Sequence, residues 1–255
     1  NNRFLYYLLL SFKFIFWDYH IVFPFAYLPF GIWKKSTIVV HDVRCFNSKK
    51  FKDYIKQFYW VISWRFASKI KCVSTFTKNS LINIYNSTKV QVFYCPYNWK
   101  NVKNDLPRED SWLYIGHIEE RKNVIKMLKY FIENEIEITI IGRIQINNPD
   151  LDSLLNSQYV NYLGTVSDDV RNNLLMNFKN FINPSFYEGY SYTPVEALNY
   201  GMNLFLSNID VHKEIYADSA NFFNPNLFDI KRDQLKITST IIKPKYTSDY
   251  YEIFS

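Results

Sequence analysis

Residues 112–142, WLYIGHIEERKNVIKMLKYFIENEIEITIIG, decide the fold class of this protein. An apolar run at 112–115 ends at Gly116, apolar residues then recur at helical spacing across about 122–133, and a second apolar run follows at 137–141. This pattern predicts a strand, a helix and a second strand. Because neighbouring parallel strands need a long crossover, which is usually helical, the stretch predicts an α/β fold with a parallel sheet.

The same alternation continues on both sides of this stretch. Downstream, the pattern predicts further strands and helices at 160–163, 168–176, 180–183, 193–200 and 203–206. Upstream, it predicts strands at 37–40, 71–73 and 91–94 and a helix at about 48–67. Five strand–helix steps in the second half are enough for one Rossmann-like domain, and the first half predicts another.

Charge divides the chain into two parts. Residues 1–110 contain 17 Lys and Arg against 6 Asp and Glu, a net charge of +11, whereas residues 111–255 contain 13 against 18. The change near Pro107 predicts a domain boundary. We therefore expect three regions, at 1–105, 106–230 and, as a C-terminal tail that returns towards the first domain, 231–255.

The basic first part is also rich in Phe, Tyr and Trp. This combination fits an anionic membrane surface or a nucleic-acid groove, because basic residues supply attraction and aromatic residues settle at wet interfaces. An ordinary solvated basic surface is the alternative.

Cysteine spacing and hydropathy exclude several classes of protein. The widely spaced Cys45, Cys72 and Cys95 indicate neither a disulfide framework nor a zinc site, and we expect them to be reduced and buried. The apolar stretch 4–17 is too short to span a bilayer and no signal-peptide cleavage site follows it, so we expect a cytoplasmic protein. The chain opens inside this stretch without an initiating Met, which predicts a fragment whose first domain is incomplete.

The first candidate site is the sequence GHIEERKN at 116–123, which follows the predicted strand 112–115 and opens the next helix. The start of a helix presents free N–H groups, and Arg121 and Lys122 would add positive charge for a diphosphate. Two cations there also oppose the helix dipole, which favours a functional reason for them. A solvated basic pair is the alternative.

The second candidate site is NPSFYEGYSYTPVEA at 183–197, where Glu188 and Glu196 stand eight residues apart. Glu188 follows a predicted strand, where open α/β sheets bind ligands, and a carboxylate can accept sugar hydroxyls. Glu196 has a second interpretation, because TPVE at 193–196 matches a capping box with Pro at the first helical position.

These two sequences, together with YLGTVSDD at 162–169, resemble the family 4 glycosyltransferases, also called glycosyl transferases group 1. The two glutamates in a PSxxEG context, with RKN about 65 residues upstream, make the pattern specific. The resemblance covers roughly residues 37–225. It implies a GT-B fold, in which two Rossmann-like domains with parallel sheets face a cleft, the first holding the acceptor and the second a nucleotide sugar.

The resemblance also implies roles for individual residues. Arg121 and Lys122 would bind the donor diphosphate, Glu196 the ribose, and Glu188 the transferred sugar beside its anomeric carbon. The loop residues that would join them are Gly116, Gly189, Tyr190, Ser191 and Tyr192. His41, which ends the strand at 37–40, would face the donor sugar, although a histidine at a strand end is often structural.

Two positions depart from the family pattern. Ser191 stands where the family usually has a second glycine, so we expect a stiffer or differently shaped loop. His117 stands where many members have arginine, which leaves Arg121 and Lys122 to neutralise the diphosphate.

The resulting hypothesis is a retaining glycosyltransferase of cell-surface polysaccharide synthesis, of the O-antigen or capsule kind. Its partners would be a nucleotide sugar, a glycan or lipid-linked acceptor and an anionic membrane surface, with no nucleic acid, no cofactor and no metal ion. The protein would be cytoplasmic and would bind peripherally to the inner face of the cytoplasmic membrane. The alternatives are a nucleotide-sugar epimerase or phosphorylase of the same fold, and a truncated, non-catalytic subunit that binds a membrane or a partner.

Overall fold

The computed structural model describes residues 20–24, 26–27, 36–48, 51–99, 108–230 and 244–246. The apolar stretch 4–17, the predicted boundary at Pro107 and most of the predicted tail at 231–255 lie outside these residues. Contacts divide the chain into two compact units, one of residues 1–97 together with 246–255 and one spanning Asn98–Lys245. Among the described helices, none combines the length and the apolar character needed to cross a bilayer.

The first unit contains a parallel sheet with the strand order β1-β2-β3-β4. Its strands are β1 (Ile21–Phe23), β2 (Ser36–Val40), β3 (Lys69–Cys72) and β4 (Val90–Val92). Its helices are α1 (Phe51–Phe66), α2 (Thr75–Ile84) and a 3₁₀ turn (Arg44–Asn47). The three predicted strands and the long helix are confirmed. The prediction omitted α2, whose start Ser74 caps by accepting a hydrogen bond from Thr77 N at 3.1 Å.

The core of this unit forms around α1. Trp64 is fully buried and donates from Nε1 to the Ala26 carbonyl at 2.9 Å. Its ring stacks on Phe46 with centroids 5.3 Å apart. Aromatic area of this size dominates core energetics, which explains how a short sheet is held against one helix.

The second unit contains a six-stranded parallel sheet with the order β10-β9-β8-β5-β6-β7. Its strands are β5 (Glu109–Ile115), β6 (Ile138–Ile141), β7 (Val160–Gly164), β8 (Phe178–Asn183), β9 (Asn203–Ser207) and β10 (Ala220–Phe223). Its helices are α3 (Val124–Glu133), α4 (Leu151–Leu155), α5 (Asp168–Asn177), α6 (Thr193–Asn199) and α7 (Asp210–Tyr216), with 3₁₀ turns at Glu120–Lys122 and Ala217–Ser219. The predicted elements are confirmed, and β10, α4 and α7, each of seven residues or fewer, are additional.

Strand order in the second sheet reverses between β5 and β8. The chain first builds outward through β6 and β7, then returns to the other side of β5 and builds outward again through β9 and β10. This is the doubly wound Rossmann order, and such sheets bind ligands outside the carboxyl ends of the strands where the order reverses. The topology therefore directs attention to the loops after β5 and β8.

The core of the second unit packs α3 onto β5. Val124, Met127, Leu128 and Phe131 recur at helical spacing and are fully buried. The Trp112 ring on β5 lies 5.3 Å from Phe131 in an edge-on contact. This packing fixes where the loop between β5 and α3 begins and ends.

Candidate functional site

A pocket of about 310 Å³ opens at the carboxyl ends of β5, β6 and β7. Ile115, Ile141 and Gly164, at or near the ends of these strands, form part of its wall. The remaining lining residues are Gly116, His117, Glu119, Arg121, Lys122, Gly142, Thr165, Val166, Arg171 and Thr193. Three of the predicted donor residues, Gly116, Arg121 and Lys122, thus line one concave surface.

Two glycines allow the backbones of the β5 and β6 loops to approach each other. Gly142 has a φ of +143°, and a Cβ atom built there would lie 2.0 Å from the carbonyl oxygen of Gly116. No side chain fits in that space, so the close approach requires glycine. Any larger residue at 142 would push the Gly116 loop out of the pocket wall.

Arg121 and Lys122 lie in the 3₁₀ turn Glu120–Lys122, one residue outside α3. Asn123 follows with a left-handed φ of 55°, and its side-chain amide donates to the Pro225 carbonyl at 2.7 Å. The prediction that the two cations open the helix is therefore wrong, because the left-handed residue breaks the turn from α3. The argument from the helix dipole does not apply to them.

Glu188, in the loop after β8, joins both cations. Its Oε1 accepts from Lys122 Nζ at 2.5 Å and its Oε2 from Arg121 Nη1 at 2.9 Å. The Ser185 hydroxyl, itself fully buried, lies 2.8 Å from Oε1. Burial alone would raise the pKa of the Glu188 carboxyl, but Lys122 and Arg121 outweigh it and hold the pKa below its usual value. Glu188 is thus ionised at neutral pH.

Arg121 makes further contacts that connect the two loops. Its Nη2 pairs with Glu119 at 2.6 Å, and its Nη1 donates to the Tyr187 carbonyl at 3.0 Å. In return, the Phe186 amide donates to the Arg121 carbonyl at 2.8 Å. The loops after β5 and β8, 66 residues apart in sequence, are therefore held together by backbone and side-chain bonds.

Glu196 lies in α6 and forms an ion pair with Arg171, which lies in α5. The predicted capping box is wrong: α6 begins at Thr193, no side chain caps it, and the Glu196 carboxylate faces Arg171 instead. Pro194 in the first turn supplies the helix start, since its fixed φ suits that position. The Glu196 carboxylate is therefore not used as a helix cap.

Ser191 adopts the left-handed backbone that its family position suggests. Its φ is 71°, in the region that favours glycine. Asn183 donates from Nδ2 to the Ser191 hydroxyl at 2.8 Å, and the Tyr216 hydroxyl donates to the Ser191 carbonyl. Within this loop Tyr190 is buried, with its hydroxyl bonded to the Lys245 carbonyl at 2.6 Å, and Tyr192 is exposed. Side-chain bonds thus hold a serine where glycine would be unstrained.

Residues 98–249 match the family model described as glycosyl transferases group 1. This match includes more than half of the chain and every element of the site. The chain belongs to the glycosyl transferases group 1 family.

Two curated relatives and one solved structure show the reach of the similarity. O-antigen chain mannosyltransferase B from Escherichia coli is 26% identical over 83% of this chain and 63% of its own length. A capsular polysaccharide biosynthesis glycosyltransferase, CapH from Staphylococcus aureus, is 29% identical over 70% of this chain and 52% of its own. The chain thus spans between about half and two thirds of the length of these relatives.

The structure of Anabaena Alr3699/HepE in complex with UDP-glucose aligns with a TM-score of 0.61 at 14% identity, over 74% of this chain and 58% of that one. At this identity the similarity shows the fold. The predicted α/β fold of the GT-B type, with a parallel Rossmann-like sheet in each unit, is confirmed.

Two further predicted residues, Gly189 and His41, are not among those that line the pocket. Gly189 directly follows Glu188 in the loop after β8. His41 directly follows β2 in the first unit, where it is exposed. Of the cysteines expected to be buried, Cys72 is buried but Cys45 and Cys95 are half-buried, and all three are free thiols.

Sequence reasoning missed a buried polar group behind Glu188. His212 in α7 is fully buried, and its Nδ1 lies 3.0 Å from the Ser207 carbonyl. Because a carbonyl only accepts, Nδ1 carries the proton, which leaves Nε2 as a bare acceptor. That atom is buried and has no hydrogen-bond partner among the described residues. The Ser207 hydroxyl donates to the Ser185 carbonyl at 2.5 Å. His212 and Ser207 thus support the segment that carries Ser185.

Proposed function

We propose that this protein is a retaining glycosyltransferase that moves a sugar from a nucleotide sugar to a glycan or lipid-linked acceptor during synthesis of a cell-surface polysaccharide. One observation carries the proposal: an ionised, buried Glu188 holds Arg121 and Lys122 at the reversal point of a Rossmann sheet, beside an open pocket. The relatives named for O-antigen and capsule synthesis support the polysaccharide class.

The donor diphosphate would lie against Arg121 and Lys122. Both cations are paired with carboxylates, so an entering diphosphate exchanges ion-pair partners rather than meeting bare charge. Glu188 would then be released towards the sugar, and Glu196 would accept the ribose hydroxyls. The backbone amides of 189–192 would complete the contacts, and Gly116 would form part of the wall beside the donor.

Transfer in this arrangement would retain the anomeric configuration. The bond from the anomeric carbon to the phosphate oxygen breaks, and the acceptor hydroxyl bonds to the same face of that carbon. The hydroxyl proton passes to the departing phosphate. Arg121 and Lys122 are positioned to stabilise the charge that develops on the diphosphate, so no metal ion and no covalent intermediate on the protein are needed.

The first unit would hold the acceptor near an anionic membrane. Phe51, Tyr54, Ile55 and Phe58 recur at helical spacing on one face of α1 and are exposed, Phe51 by 77% and Phe58 by 70%. Exposed aromatic residues on a basic amphipathic helix are typical of binding in the plane of a membrane interface. We place the protein on the inner face of the cytoplasmic membrane on this basis.

Lys122→Ala should weaken binding of nucleoside diphosphates by roughly 10–100-fold, since one charged hydrogen bond is worth about 1.5–3 kcal/mol. The check is calorimetric titration of the parent and the variant with UDP, GDP and dTDP. Lys129→Ala is the matched control, because Lys129 pairs with Asp150 on the surface and does not line the pocket. Equal affinity of the folded Lys122→Ala variant would contradict the assignment of the pocket.

Transfer itself is tested by acceptor dependence. A transferase should release nucleoside diphosphate from the nucleotide sugar only when an acceptor glycan is present. Product formed without an acceptor would favour an epimerase, and donor binding with no turnover for any acceptor would favour a non-catalytic subunit.

Substituting both Phe51 and Phe58 with serine should reduce binding to anionic vesicles by about 10-fold or more, since fully burying one Phe contributes about 1.5–3 kcal/mol. Vesicle sedimentation at low and high salt provides the measurement, and salt should weaken binding because it screens the lysines and arginines. Leu227→Ser, which removes a 72% exposed leucine from the second unit, is the control. Equal binding to neutral and anionic vesicles, or to neither, would contradict a membrane-bound acceptor.

A further inference from the structure

A second charge pair lies beside the Glu188 cluster, and one of its members, Arg171, lines the pocket. Arg171 lies in the first turn of α5, which Ser167 caps by accepting a hydrogen bond from Val170 N at 3.4 Å. Its guanidinium reaches Glu196 in the first turn of α6. Both side chains are about one-fifth exposed, Arg171 by 23% and Glu196 by 20%, so the pair is partly shielded from water yet open to a ligand.

The contact uses one oxygen of the carboxylate. Arg171 Nη2 binds Glu196 Oε2, and within the described part of the chain Oε1 has no hydrogen-bond partner. A carboxylate oxygen can accept two hydroxyl hydrogens, and a guanidinium held on the other oxygen keeps the group ionised and fixes its plane. The arrangement therefore presents a single oriented acceptor next to Arg171, which lines the pocket.

Arg171 is also the pocket cation that Glu188 does not engage. Among the described residues that line the pocket, Arg121 and Lys122 both form ion pairs with Glu188, whereas the Arg171 guanidinium forms an ion pair with Glu196. Its charge is thus available to position Glu196 without disturbing the diphosphate site.

We propose that Arg171 is a positioning residue that orients Glu196 to accept the ribose hydroxyls of the nucleotide, and that this pair makes the site select ribonucleotides over 2′-deoxyribonucleotides. The inference rests on the proposed function, because it assumes that a nucleoside diphosphate enters this pocket. It adds a role for Arg171 and a preference for ribonucleotides to that function.

The physical basis is the penalty for an unfilled acceptor. A site built to bind a hydroxyl rejects the analogue that lacks it, because the polar group of the protein is left unpaired. A carboxylate held by Arg171 cannot turn away to find water, so the missing 2′-hydroxyl costs affinity. Without Arg171 the carboxylate can rotate, and the preference should disappear.

The experiment titrates the full chain with UDP and GDP and with their 2′-deoxy counterparts, for the parent, Arg171→Ala and Arg171→Lys. The parent should prefer the ribonucleotide by about 10-fold or more, the size of one hydrogen bond to a charged group. Arg171→Ala should weaken ribonucleotide binding until the two affinities are nearly equal, and should leave the deoxynucleotide nearly unchanged. Arg171→Lys, which keeps the charge, should restore part of the preference.

Two further variants keep the test sharp. Arg143→Ala removes an exposed arginine that does not line the pocket and should change neither affinity. The double variant Glu196→Ala/Arg171→Ala should lose no more of the preference for ribonucleotides than Arg171→Ala alone. The two residues act as one pair, so the effects of the two changes should not add. If Arg171→Ala does not fold, Arg171→Gln takes its place in the same comparison.

The outcomes separate the two proposals. A parent that binds none of these nucleoside diphosphates would overturn the proposed function and this inference together. A parent that binds them and depends on Lys122, but shows no ribose preference, would overturn only the role of Arg171. The same holds if Arg171→Ala weakens both kinds of nucleotide equally or changes neither.

Discussion

Replacing Glu188 with glutamine is expected to lower the turnover of the proposed transfer reaction by about 10²–10³-fold, the range seen when one preorganised electrostatic contact to a transition state is removed. Glutamine keeps the size of the side chain and one acceptor oxygen but loses the negative charge. That charge would stabilise a sugar that becomes cationic as the diphosphate departs. Steady-state kinetics with a nucleotide sugar, on the full-length protein, measure the effect.

Donor affinity should change much less than turnover in this variant. Glu188 is the counter-ion of Lys122 and of Arg121. Removing its charge leaves both cations more available to a diphosphate, so nucleoside diphosphate binding should be retained or strengthened. A fall in kcat with an unchanged or lower KM is the expected signature.

Glu196→Ala provides the contrast. Glu196 pairs with Arg171 rather than with Lys122. Its loss should therefore weaken donor binding more than it lowers the turnover of the bound donor. Thermal melts of both variants show whether either change acts through the fold. Unchanged turnover in a folded Glu188→Gln variant would remove Glu188 from the catalytic role.

The free energy of unfolding is expected to fall by about 2 kcal/mol as the pH is lowered from 7.5 to 5, because His212 resists protonation in the folded state. Burial lowers the pKa of His212 from 6.5 to about 4. The imidazole is fully buried and its Nε2 has no partner in the part of the chain that the structure describes, so a proton there would bring an unpaired charge into the core.

The sign of this pH dependence follows from the number of protons bound by the folded and the unfolded protein. Between pH 6.5 and about 4 the unfolded chain binds the proton at His212 and the folded protein does not. The stability is therefore fully present above pH 6.5 and is lost as the pH falls towards 4. Keeping the measurement at or above pH 5 avoids most of the titration of carboxyl groups.

Urea unfolding at a series of pH values tests this expectation. His212→Asn is the matched variant, because its amide can still donate to the Ser207 carbonyl but cannot be protonated in this range. The variant should lose most of the dependence on pH between 7.5 and 5. An equally steep dependence in His212→Asn would assign the effect to another group, such as His20, whose pKa burial also lowers.

Sequence alone determined the succession of most strands and helices along the chain, with their ends placed to within a few residues. Apolar periodicity is a local property, so β5, α3 and β6 could be predicted within a few residues. It also brought Lys122 and Glu188 to the same edge of the sheet, since the carboxyl ends of parallel strands share one edge. The family resemblance in GHIEERKN and NPSFYEG pointed to the same pair.

Only the tertiary structure decided which side chains pair with one another at the carboxyl edge of the sheet. Glu196 reads as a cap in sequence because Thr193 stands three residues before it, but Arg171, 25 residues away, takes its carboxylate. Arg121 and Lys122 read as a helix start, but the left-handed Asn123 separates them from α3. A local pattern cannot rank these choices, because their free energies depend on groups that other elements bring close.

The hydrogen bonds that hold Ser185, a partner of Glu188, also depend on the tertiary structure. His212, Ser207 and Ser185 lie on α7, at the end of β9 and in the loop after β8, and nothing in their spacing marks them as a unit. They meet because β9 pairs beside β8 and α7 returns onto the sheet. Hydrogen bonds among buried polar groups are set by such three-dimensional neighbours, whereas the strands that create the neighbourhood are set by hydrophobic period in the sequence.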